Sequence, residues 1–288
     1  QSPQSIQARL VQTEILYSLH IFKDKNFTEA HRTIEKTLKY LDLHSHFIQD
    51  NPEIYLNLLN QEVQLTLHLQ NFTEIPRLLQ NIRQISTGFN SKQANLRRAI
   101  MESYQLELQL YLETKNFTKA HQLIPQIQSE FKHLLSPTLR QWKTLLQYEI
   151  MRLYFYEEKY QQALQIGQQI QIAEFSQREG ETLIQCFLLS ALIQIKQKAF
   201  LGLRKTLKQL DHCFKVQRKP TKTEKQIFKL FQIYPTNLLT DKRHHHLSKQ
   251  LRITKTTQQK TNEQNYEQYI NWLGETFLLQ STQTKLKS

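Results

Sequence analysis

Three consecutive histidines, His244, His245 and His246, are the most conspicuous side chains in this sequence that could do chemistry. Adjacent imidazoles bind transition-metal ions weakly. Successive residues on a helix point in different directions, however, so all three face one ion only if the helix unwinds. The other histidines show neither a His-x-x-x-His nor a His-Glu-x-x-His spacing, which leaves zinc catalysis without support. Cys186 and Cys213 have no second Cys or His at ligand spacing beside them and read as small buried hydrophobes. Glu157 and Glu158 adjoin, but neighbours on a helix face different ways, so the pair marks an exposed turn rather than an acid–base couple. Gly88, Gly167, Gly180, Gly202 and Gly274 stand singly, which excludes a glycine-rich phosphate loop and a Gly-x-Ser-x-Gly elbow. No enzymatic activity, metal or cofactor is expected.

Charge is the second signal. The net charge of +13 is uneven: residues 1–200 carry 21 Lys and Arg against 19 Asp and Glu, residues 201–288 carry 17 against 6. Such asymmetry points to an acidic partner for the C-terminal end. Lys222, Lys225 and Lys229 recur at helical spacing opposite Ile227, Leu230 and Phe231, and Lys242 and Arg243 follow them. These five are the candidate acidic-partner residues. Nucleic acid is the alternative partner for this region, although no recognised nucleic-acid motif accompanies the basic residues.

The elements that must carry these residues are helices. Only 5 Gly and 7 Pro occur in 288 residues, and a hydrophobic fraction of 39% is enough for a continuous core despite a mean hydropathy of −0.59. There is no run of 18 apolar residues, so no membrane span is expected, and residues 1–10 lack the pattern of a secretory signal. The expected compartment is the cytoplasm.

One stretch recurs. Asn26-Phe27-Thr28-Glu29-Ala30 returns as Asn71-Phe72-Thr73-Glu74-Ile75 and as Asn116-Phe117-Thr118-Lys119-Ala120. A fixed period of this size marks a repeat protein. Each copy is also an N-glycosylation sequon, but an Asn that caps a helix and a Phe that packs explain the stretch without a glycan. With Glu29 three positions on, Asn26 reads as one half of a capping box. An apolar stripe through Ile6, Leu10, Ile15, Leu16, Leu19 and Phe22 precedes the first copy, so each repeat reads as an αα-hairpin. Tyr160 and Phe200 continue the aromatic marker. Pro76 predicts an irregular start to the second helix of the second repeat, and Pro125 a bend in that of the third. Thr221 and Glu224 read as a further capping box. Residues 266–279 are too apolar to stay free in water and are expected to dock as a terminal cap.

An aromatic, two residues, then Ala at the start of the second helix (Phe27 with Ala30, Phe117 with Ala120, Tyr160 with Ala163) resembles the tetratricopeptide-repeat family. The chain departs from that family in its repeats of 40 to 45 residues rather than 34 and in lacking the Leu-Gly pair of the first helix. The resemblance covers residues 5–217. It implies an all-α, right-handed αα-hairpin solenoid of about five hairpins over residues 1–218, with a basic helical extension and capping helix over 219–288. For function it implies a non-enzymatic scaffold that binds a protein or peptide on its concave face. Tyr17, Asn57, Gln64, Tyr104 and Tyr148 are the expected partner-binding residues there.

Overall fold

The computed structural model describes residues 5–88, 94–131, 137–172 and 180–233, together with 251, 254, 266 and 269–273. Every element in the described residues is helical: α1 (Ile6–Ser18), a π-helical turn (Leu19–Asp24), α2 (Phe27–Asp42), α3 (Ser45–Asp50), α4 (Pro52–His68), α5 (Ile75–Gly88), α6 (Ala94–Glu113), α7 (Phe117–Phe131), α8 (Pro137–Tyr156), α9 (Tyr160–Ile172), α10 (Gly180–Lys196), α11 (Phe200–Val216) and α12 (Lys222–Ile233). The chain divides into two compact units, 1–149 and 150–288. That boundary falls inside α8.

In the first unit α1 packs on α2, α2 on α4, α4 on both α5 and α6, and α6 on α7. The first hairpin thus rests on the second through α2 and α4, and the second on the third chiefly through α4 and α6. The small residues at the expected positions make this possible. Ala30 and Ala120 are fully buried, and the bulkier Ile75 takes the same place in the second hairpin, also fully buried. Polar ties cross between the helices. Thr13 and Thr37 hydroxyls meet at 2.7 Å between α1 and α2, and Asn60 Nδ2 donates to the Ala99 carbonyl at 2.8 Å between α4 and α6.

The turns inside the hairpins share one backbone device. Lys25, Gln70, Lys115, Glu158 and Lys198 have φ between 51° and 59°, a left-handed conformation that non-glycine residues seldom adopt. Each immediately precedes the residue that opens the next helix or turn. At the last four, the following amide reaches back five residues: Asn71 to Thr66 (3.0 Å), Asn116 to Tyr111, Lys159 to Tyr154 and Ala199 to Gln194 (all 2.8 Å). The left-handed residue's own amide bonds the carbonyl three residues back. Together these two bonds form the Schellman motif. At the first turn the π-helical register lengthens the return, and Asn26 N–H reaches His20 O at 2.8 Å.

Asn26 Oδ1 accepts the Glu29 amide at 3.2 Å and Asn116 Oδ1 accepts the Lys119 amide at 3.3 Å. The expected capping box is only half made, because the Glu29 carboxylate pairs with Arg32 at 2.6 Å. Asn71 does not cap at all: its Oδ1 accepts from the Thr73 hydroxyl, and α5 begins at Ile75, so Pro76 falls in the first turn where its missing amide is harmless. Across Pro125, α7 is continuous. One apolar stripe departs from expectation. Ile15, Leu19 and Phe22 are 56%, 41% and 78% exposed, and α1 and its π-turn bury a different face, marked by Thr13.

In the second unit α10 packs on α9 and α11, and α12 contacts both α10 and α11. Gly167 lets α9 approach closely: a Cβ there would lie 3.1 Å from Met151 Cε and 3.2 Å from Ser190 Oγ. The buried Cys186 Sγ fills the same junction, 3.8 Å from Met151 Sδ, and burial pushes its thiol up to about 12. The capping box at α12 is complete, since Glu224 N–H donates to Thr221 Oγ1 at 3.2 Å and Thr221 N–H to Glu224 Oε2 at 2.7 Å. Arg218 grips the same carboxylate with two bonds of 2.7 and 2.8 Å, and the Tyr266 hydroxyl donates to it as well. Tyr266, Tyr269, Ile270 and Leu273 are all buried. Tyr269 donates to the Gln185 carbonyl at 3.0 Å, and Trp272 packs on Phe155 with ring centroids 4.6 Å apart and the planes inclined by 60°. These C-terminal residues therefore cover part of the second unit's core.

Candidate functional site

Three first helices, α1, α4 and α6, together line an open cavity of about 300 Å³ in the first unit. Its apolar lining comes from Leu10, Ile54 and Leu58. Its walls are polar: Thr13 and Glu14 on α1, Asn57 and Gln61 on α4, Arg98 and Glu102 on α6. The arrangement follows from hairpin stacking. Helices that contact one another through successive hairpins present the same face, and residues four apart on α4, such as Asn57 and Gln61, lie together on it.

Two features give this cavity chemical character. Asn57 Oδ1 is shielded from solvent yet has no hydrogen-bond partner among the described residues, and its residue is part of the cavity lining. Burial raises the affinity of the Glu102 carboxyl for its proton, partly offset by the positive charge of Arg98. The Tyr17 hydroxyl is likewise held in its neutral form, chiefly by burial and then by Glu102. The cavity thus combines an unpartnered amide oxygen, a proton-retaining carboxyl and apolar side chains, which suits a ligand with alternating polar backbone and apolar side chains.

Of the residues expected at a partner-binding face, the structure brings Asn57 into the cavity wall and Tyr17 beside Glu102, and places Gln64 exposed on α4. The other two are buried. Tyr104 is only 7% exposed, with the Arg83 guanidinium 3.9 Å above its ring and Arg83 in turn paired to Glu107 at 2.5 Å. It is a packing platform between α5 and α6. Tyr148, at 5% exposure, is also core. Both tyrosines lie on first helices, where an amphipathic aromatic suits a groove and a core equally well. The sequence reading missed Thr13, Glu14, Gln61, Arg98 and Glu102. Spacing carried a signal for Gln61, because Asn57, Gln61 and Gln64 follow a four-then-three helical step.

On α12, Lys222, Lys225 and Lys229 are exposed while Thr223, Glu224, Ile227, Leu230 and Phe231 are buried, which makes the lysines one cationic stripe. Lys242 and Arg243 lie outside the described residues, as do His244, His245 and His246. Among the described residues no three metal-ligating side chains converge, and no helix is long and apolar enough to cross a membrane.

The described residues define an all-helical protein in whose first unit α1, α4 and α6 line an open cavity. Searches against protein-family models, curated proteins and solved structures found no match.

Proposed function

We propose that this chain is a non-enzymatic helical-repeat scaffold, a tetratricopeptide-like right-handed array of hairpins, that binds a protein or peptide segment along the face made by α1, α4 and α6. The observation that carries the reading is the cavity shared by three successive first helices, with Asn57, whose Oδ1 is solvent-shielded and unpartnered, in its lining. An extended peptide supplies what that lining lacks: a backbone N–H for Asn57, and side chains for the apolar residues. The regular placement of the left-handed turn residues supports the repeat half of the proposal.

The basic C-terminal end serves an acidic partner through Lys222, Lys225 and Lys229. Their joint exposure on one face of α12 favours this role. Duplex nucleic acid is the competing partner for that stripe. Its binding would weaken steeply with salt, with a slope of about 0.9 per phosphate neutralised.

Affinity capture from the native source with the full chain, its Asn57→Leu variant and its Lys222→Glu/Lys225→Glu variant tests both halves. A protein retained by the parent and lost with Asn57→Leu is expected. Recovery of the same proteins with all three would refute the groove, and nuclease-sensitive recovery lost only with the lysine variant would favour nucleic acid at the C-terminal end.

A further inference from the structure

The groove between α11 and α12 carries the most exposed large apolar side chain in the described residues, and its surroundings are cationic. It has a volume of about 720 Å³. Leu201, 85% exposed, and the half-buried Phe228 supply its apolar surface. Arg204, Lys205 and Lys208 stand along it, all exposed, at three, four and seven residues from Leu201 and therefore on one face of α11. Asp211 is the one acid in the lining, and it is engaged by Lys215 at 2.6 Å. Phe228 is fixed edge-on against Phe214, with ring centroids 5.9 Å apart, so the apolar surface is held by the core beneath it.

We propose that this groove docks an acidic amphipathic helix from a partner protein, seating an apolar side chain against Leu201 and Phe228 while its carboxylates meet Arg204, Lys205 and Lys208. The inference rests on the reading of the C-terminal end as the site of an acidic partner, and it moves the anchor from the α12 lysine stripe to the α11 face. Charge complementarity selects acid over base. The apolar residues select an amphipathic helix over a polyanion: a phosphate backbone gains nothing from Leu201, which has neither a donor nor a stacking face, whereas a helix with apolar residues three or four apart uses both features of the groove. A single docked helix face is enough to span one row of three cations, since a seven-residue separation on α11 is about 10 Å.

The test is selection of displayed, helix-biased peptides of about 16 residues, roughly four turns, on the full 288-residue chain. Synthetic copies of the winners are then titrated by fluorescence anisotropy. The expected winners combine Asp or Glu with Leu, Ile or Phe at three- or four-residue spacing. Their affinity should fall at least tenfold with Leu201→Asp and with Lys205→Glu/Lys208→Glu, and stay unchanged with Lys36→Glu/Lys39→Glu on the exposed face of α2. All these positions are exposed, and circular dichroism of each variant verifies that the helices persist. Winners that bind equally well to the α11 variants overturn the proposal, as do polyanions without apolar residues that bind as tightly. Acidic winners lost only with Lys222→Glu/Lys225→Glu on α12 overturn this groove and leave the acidic-end reading standing; a selection that yields no acidic peptide refutes both.

Discussion

The amide of Asn71 donates to the carbonyl of Thr66 at 3.0 Å, across Gln70 held at φ 58°. The same bond recurs three more times in the chain, each time across a residue with a side chain in a conformation that favours glycine. A left-handed residue other than glycine costs about 1–2 kcal/mol, part of which glycine returns through its larger unfolded-state entropy. Gln70→Gly and Lys115→Gly are therefore expected to stabilise the protein by about 0.5–1 kcal/mol each. Urea unfolding measures this, and a lower midpoint would show that these side chains stabilise the turns in some other way.

The buried small residue after each marker aromatic sets how closely neighbouring helices approach. Ala120→Leu inserts volume into a site with no exposed surface and is expected to cost about 1–3 kcal/mol. The opposite change at the equivalent position, Ile75→Ala, leaves a cavity and is expected to cost about 2–5 kcal/mol. Thermal unfolding of the two variants checks both. Tolerance of either change would mean that the position does not fix the spacing.

Glu62 couples the first unit to pH. It is 4% exposed, 3.0 Å from His31 Nε2, and burial, with Glu35 and Glu74 nearby, pushes its carboxyl up to about 8. The folded protein keeps a proton that the unfolded chain releases above about 4.5, so this group's stabilisation is full below that pH and fades as pH rises toward 8. Glu62→Gln should flatten the decline. Urea midpoints at about pH 5 and pH 9 for both proteins test this, and parallel slopes would contradict it.

Glu224 behaves in the opposite sense. Burial disfavours its charge, but Arg218, Tyr266 and the Thr221 amide outweigh burial and hold its carboxyl below the ordinary value of 4.5. Its contribution is present above about pH 4.5 and is lost as pH falls through the lowered folded value. Glu224→Gln abandons a bidentate ion pair, and about 3 kcal/mol of the second unit's stability should go with it. Loss of near-ultraviolet signal from Trp272 at lower urea than in the parent is the expected readout. An unchanged midpoint would show that the C-terminal segment docks without this cluster.

How much of this was legible beforehand divides along physical lines. Helix positions came from local rules: the caps at Asn26 and Asn116 and the reciprocal box of Thr221 and Glu224 each depend on residues within one turn. The left-handed turns were hidden because Lys, Gln and Glu give no turn signal. Facing was harder still. Tyr104 and Tyr148 lie on helices with buried positions on several faces, where periodicity does not separate groove from interior, whereas the amide of Asn57 was a better guide because a polar group on an inner helix needs a reason to be there. Arg98 and Glu102 reach the cavity only through the contact of α4 with α6, a tertiary fact that no local pattern encodes.

A photo-crosslinking amino acid on the face made by α1, α4 and α6 captures whatever polypeptide docks there. It is placed at Gln61 in the cavity wall and, as a control, at Lys39 on the exposed face of α2. Irradiation in the native lysate should attach a polypeptide at Gln61, with the adduct lost on Asn57→Leu and absent at Lys39. Equal adducts at both positions, or a Gln61 adduct indifferent to Asn57→Leu, would contradict docking on that face.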